Sequence, residues 1–146
     1  MTATPNPSAA ELIDAIAAAA VAQAAPAERA LTEAFVREVY RHVDPDDLAA
    51  ARVDDLAGAA LSHWQFGRSR PPGEPGRARV RVLSPTLAEH GWTSRHTVVE
   101  IVNDDMPFLV DSASMEVHRH GLKLHLIVPP VLAEARDSAG QVTRIA

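Results

Sequence analysis

Three prolines and two glycines fall between Arg68 and Gly76, and the hydrophobic repeat differs on the two sides of this stretch. Glycine and proline at that density interrupt helices and strands alike, so 68–76 is expected to be an exposed loop and a domain boundary. Before it, apolar residues recur every three to four positions, the period of a helix with one buried side. After it they recur every two, the period of a strand with one buried face. Helices followed by strands imply an α+β fold, divided as a helical segment over 1–67, the loop over 68–76 and an α+β module over 77–146.

Start signals divide the helical part. Ser8-Ala9-Ala10-Glu11 has capping-box spacing, in which a hydroxyl and a carboxylate satisfy free amides at a helix start, and predicts a helix over 9–24. Pro26 suits the first turn of a second helix ending near Val43, with Leu31, Ala34, Phe35, Glu38 and Val39 along one side. Asp44-Pro45-Asp46-Asp47 places a capping carboxylate, a first-turn proline and acidic residues at the positive end of a helix dipole, for a short helix through Ala51. Asp54 opens a further helix whose Leu56, Ala60, Leu61 and Trp64 form its buried face.

In the second part, Ala78, Val80 and Val82 alternate with Arg77, Arg79 and Arg81, so the valines are expected inside and the arginines in water. Thr97–Asn103 and Leu122–Val128 read as two more strands. Between them 107–120 reads as a helix, with Asp104 or Asp105 capping its start and Gly121 ending it in a left-handed conformation. Leu109, Val110, Ala113 and Val117 are expected to cover the sheet. Val131–Arg136 and Gln141–Ile145 flank Asp137-Ser138-Ala139-Gly140 as a hairpin.

Composition excludes several chemistries. With no cysteine there is no disulfide, thiolate metal site or cysteine nucleophile. A formal charge of −5 disfavours general nucleic-acid binding. The arginines at 68, 70, 77, 79 and 81 make a basic cluster, but the predicted strands carry no aromatic platform for bases. The N-terminus lacks the basic and leucine-rich regions of a secretory signal, and the Ala17–Ala20 run is too short to span a bilayer, so a cytoplasmic protein without membrane contact is expected. No glycine-rich strand-to-helix turn for a dinucleotide is present, and Lys123 is the single lysine, so no catalytic residue is assigned. His118 and His120, two apart on a helix, point about 200° away from each other. The other histidines have no ligand spacing, and no metal site is assigned.

The most informative run is Ile101-Val102-Asn103-Asp104-Asp105-Met106-Pro107-Phe108-Leu109-Val110-Asp111-Ser112, which joins a strand to a helix through an acidic turn. With Glu89-His90-Gly91-Trp92 before it and His118-Arg119-His120-Gly121-Leu122 after it, this run resembles the N-terminal region of the large bacterial NAD-specific glutamate dehydrogenases. Leu61-Ser62-His63-Trp64 and Arg70-Pro71-Pro72-Gly73 fit the same pattern, so the resemblance covers Leu48 to the end. It implies a partial ACT-like (ferredoxin-like βαββ) antiparallel sheet with one packed helix, in a non-catalytic regulatory and assembly region. The dehydrogenase domain would lie far downstream and NAD would serve the parent enzyme, with no cofactor in this segment. The implied partners are the other domains of the parent chain, further copies in a homo-oligomer and an amino-acid effector. The alternative is a stand-alone amino-acid-binding module that controls another enzyme.

Two departures from the family pattern bear on ligand binding. Phe108 stands where amino-acid-binding ACT modules usually have glycine, and at Ala146 the second helix and last strand of a full module are still to come, which leaves the sheet incomplete unless 77–82 fills the gap. The candidate ligand site is the turn Asn103, Asp104, Asp105, Met106 and Pro107, because amides at a helix start attract a carboxylate. The two aspartates oppose an anion there, so the turn is expected to be mainly structural. Phe108 and Met115 lie off the sheet-covering side of the helix and are the candidate interface residues.

Overall fold

The computed structural model of the chain describes residues 5–70 and 78–145. Much of the loop expected over 68–76, together with Arg77 and Met1 to Thr4, lies outside the described residues.

The helical half follows its local start signals closely. Ser8 accepts a hydrogen bond from the Glu11 amide and opens α1 (Ala9–Ala22). A 3-10 turn at Pro26–Glu28 leads into α2 (Arg29–Tyr40), shorter at both ends than the predicted helix. Asp44 accepts from the Asp46 amide at 2.8 Å and opens α3 (Pro45–Ala49). The next helix, α4 (Val53–Gly67), begins one residue before Asp54 and has no side-chain cap.

Helices α1, α2 and α4 pack around Ile16, Ala17, Ala20, Phe35, Val36, Leu48, Ala57, Ala60 and Trp64, all buried. Small residues on α1 and α4 let these helices approach closely, and Tyr40 fills the centre with its hydroxyl donating to the Leu56 carbonyl at 2.6 Å. Burial pushes the Tyr40 phenol well above its ordinary pKa, so the group remains a neutral donor.

Two antiparallel two-stranded sheets are found among the described residues. In the first, β1 (Arg79–Leu83) pairs with β2 (Val98–Val102), placing Arg81 opposite Glu100, Val80 opposite Ile101 and Val82 opposite Val99. A short helix α5 (Leu87–His90), capped by Thr86 and ended by Gly91 at φ 77°, lies in the connection. In the second, β3 (Glu134–Arg136) and β4 (Val142–Ile145) close around a turn in which Asp137 accepts from the Ala139 and Gln141 amides.

Several expectations are corrected. The faces of β1 are reversed: Val80 and Val82 are exposed, at 61% and 64%, while Arg79 and Arg81 are half-buried against α4. Arg79 reaches the Phe66 and Ser69 carbonyls, and both guanidiniums stack on the Phe66 ring. Leu122–Val128 is irregular rather than a strand. It pairs with neither edge of the first sheet, Pro129-Pro130 removes backbone donors directly after it, and it meets the start of β2 through stacked rings of His125 and His96, 3.7 Å apart.

Strand structure within Val131–Arg136 is confined to β3. The hairpin lies apart from the first sheet, with Val142 buried in the helical core and Ile145 packed against it. Arg136 holds the hairpin to the end of α4 by donating to the Gly67 carbonyl.

Helix α6 (Leu109–Arg119) follows β2 and stops before Gly121, at φ 73°. None of its residues is buried. Leu109, Ala113 and Val117 are half-buried, whereas Val110 is exposed rather than covered.

Candidate functional site

The turn from β2 into α6 carries every residue singled out as a ligand contact, and its geometry is local and polar. Asn103 turns its amide toward the Met106 sulfur at 3.2 Å. Asp104 pairs with Arg70 at 2.6 Å, across a long sequence separation. The expected aspartate cap is not formed. Phe108 occupies the position before α6 at φ 65°, the one non-glycine residue with positive φ among the described residues, and no side chain caps the helix. The left-handed Phe108 stands between the aspartates and the first turn of the helix. Phe108 and Met115 are both prominent on the surface, at 76% and 71% exposure.

A second polar constellation lies where the first sheet meets α4, and sequence reasoning did not find it. Glu100, 4% exposed, accepts from the Ser62 hydroxyl and from Arg81, each at 2.8 Å. The ring Nδ1 of His63 stands 3.6 Å from the same carboxylate. Arg81 also donates to the Ser62 carbonyl and hydroxyl, so strand and helix are joined twice. Burial opposes ionisation of Glu100, but His63, Ser62 and the Arg81 guanidinium together outweigh it and hold the carboxyl below its ordinary range. The signal was present in Leu61-Ser62-His63-Trp64, but nothing local relates it to a glutamate on a strand.

The outer face of the same sheet is apolar. Val80, Val82, Val99 and Ile101 line it, the last two at 50% and 37% exposure. The sheet is thus polar toward its own helices and hydrophobic toward the outside, the reverse of a sheet that closes a self-contained core.

Sequence comparisons relate the chain to known proteins. The family model described as "Glutamate dehydrogenase, ACT1 domain" matches residues 35–146. The chain is 44% identical over 114 residues to an NAD-specific glutamate dehydrogenase of Halomonas elongata, covering 78% of this chain and 7% of that protein. It is 36% identical over 115 residues to an NAD-specific glutamate dehydrogenase of Pseudomonas aeruginosa, covering 76% of this chain and again 7% of the relative. The chain therefore spans a small fraction of the length of these relatives. No solved structure matches it. No helix of the described residues is long and apolar enough to cross a membrane. The matched span begins within α2 and takes in both sheets and the acidic turn, and on this evidence the chain belongs to the glutamate dehydrogenase ACT1 domain family.

Proposed function

We propose that this chain is a non-catalytic part of the regulatory and assembly region of an NAD-dependent glutamate dehydrogenase, whose reaction is the oxidative deamination of L-glutamate to 2-oxoglutarate. The observation that carries the assembly role is the outward apolar face of Val80, Val82, Val99 and Ile101 on a sheet whose other face is already held by Ser62 and Arg81. A contiguous apolar surface of this kind marks a contact with other protein. Phe108, just before α6, and Met115, on it, are further exposed apolar residues. The contact is with the remaining domains of the same polypeptide or with another copy of it. NAD is assigned to the parent enzyme and not to this segment.

The test uses both the isolated chain and a full-length member of the family. Val82→Asp should leave the stability of the isolated chain within about 0.5 kcal/mol, because the side chain already faces water. In the full-length enzyme the same substitution should loosen the quaternary or interdomain packing and lower activity. Full-length Val82→Asp with unchanged sedimentation and unchanged turnover would refute the assembly role. Saturable NAD binding by the isolated chain in calorimetry would refute the non-catalytic assignment.

A further inference from the structure

The segment that leads from α6 toward the second sheet pairs with no strand, and among the described residues 123–128 form no hydrogen bond. Its two ends are fixed. At the first, the Leu122 amide donates to the Val117 carbonyl at 3.3 Å, and at the last, Val128 packs against the helical core. Between these ends Leu126 and Ile127 are exposed, and the His125 ring lies on the ring of His96. The ring centres are 3.7 Å apart and the planes are 7° from parallel. His96 belongs to the turn just before β2, where its amide donates to the Ser94 hydroxyl at 3.1 Å.

Neutral aromatic rings attract each other when stacked, whereas two imidazoliums at this spacing repel. His96 faces His125 from the turn before β2, and Lys123 acts on it from its own segment. Both oppose a positive charge on His125. Among the described residues neither ring has a hydrogen bond or a carboxylate partner, so only water offsets a second charge on the pair. Loss of water at the stacked ring, followed by the charges of His96 and Lys123, holds His125 below its ordinary value of 6.5. The neutral stack is therefore complete above that value and is lost as pH falls through the lower folded-state value.

We propose that the His96–His125 stack is an acid-sensitive latch, which holds 122–128 against the start of β2 while the rings are neutral and releases it when both are protonated. The protons are taken up in two steps that belong to the pair. The first leaves one imidazolium facing a neutral ring, and the second places two positive charges face to face. Release frees the middle of the segment, with its exposed Leu126 and Ile127, while Val128 stays on the helical core. The latch is independent of the assembly role of the outer sheet face.

The test follows the imidazole resonances and the backbone nitrogen relaxation of this chain by NMR between about pH 8 and pH 5, the range in which histidine changes charge. The expected result is a His125 midpoint below 6.5, with loss of the cross-ring nuclear Overhauser contact to His96 and a gain of fast motion in 123–127 at the acid end. Helix α1, which carries no histidine, should stay unchanged. His125→Phe keeps a ring that cannot be charged, and its segment should remain held throughout. His125→Lys brings a fixed charge without a ring, and its segment should be released already at neutral pH. A segment that stays held when both rings of the unaltered chain are protonated overturns the proposal. So does the same acid release in His125→Phe, or a held segment in His125→Lys. A change that spreads to α1 overturns it as well, since it marks unfolding of the chain as a whole.

Discussion

Gly58→Ala sets two effects of opposite sign against each other at one position. Gly58 lies inside α4, where replacing glycine with alanine ordinarily favours the helix by about 1 kcal/mol. A Cβ built there would stand 2.4 Å from both Cβ and Cγ of Trp92 and 2.7 Å from its Cδ1. These atoms sit at the root of the indole, so no rotation of the Trp92 side chain removes the overlap with its Cβ. Either the 91–93 segment shifts as a whole, against the hydrogen bond from the Thr93 amide to Asp55 at 2.9 Å, or Trp92 leaves its buried position. Overpacking costs about 1–3 kcal/mol and loss of a buried tryptophan about 3–5 kcal/mol. After allowing for the helix gain, Gly58→Ala should destabilise the chain by up to about 2 kcal/mol if the 91–93 segment shifts and by about 2–4 kcal/mol if Trp92 leaves its position. Urea unfolding followed by far-UV circular dichroism measures the loss, and tryptophan fluorescence shows whether Trp92 has become exposed. In a Trp92→Gly background, which removes the opposing Cβ, Gly58→Ala should become neutral or stabilising by up to about 1 kcal/mol. Gly58→Ala with wild-type stability or better in the otherwise unchanged chain would refute the close contact.

Two further outcomes follow from the sheet and its turn. The carboxyl of Glu100 is held below its ordinary value of 4.5, so its stabilising contribution is present above that value and is lost as pH falls through the lower folded-state pKa. Glu100→Gln should therefore cost about 1–3 kcal/mol at neutral pH, and the difference from wild type should shrink below pH 4.5; a difference constant with pH would show that the charge plays no part. Phe108→Gly should stabilise the isolated chain by about 0.5–1 kcal/mol by relieving a left-handed conformation in an exposed side chain, whereas Asp105→Ala, which removes no cap, should change stability by less than about 0.5 kcal/mol. Thermal unfolding of both variants checks this, and a large loss for Asp105→Ala would restore the capping role.

Sequence alone determined the features whose causes lie within a few residues. Ser8, Asp44 and Thr86 cap helices because a side-chain oxygen reaches an amide two or three residues ahead, and Gly91, Gly121 and Gly140 take positive φ where a turn demands it. The change of period across 68–76 separated helices from strands, and a run of motifs from Leu48 onward carried the family. Tertiary structure alone decided which face of each element is buried. Alternation places Val80 and Val82 on one side of β1 and the arginines on the other, but the inner side is set by Ser62, Phe66 and Glu100, each at least thirteen residues away from its arginine. Leu122–Val128 has the composition of a strand but pairs with no strand among the described residues, since a ladder needs a second chain segment in register. Asp104 or Asp105 is positioned by sequence to cap α6, yet Asp104 is bound to Arg70, thirty-four residues distant, a partner that only the folded chain brings to it, and the left-handed Phe108 stands between the aspartates and the helix.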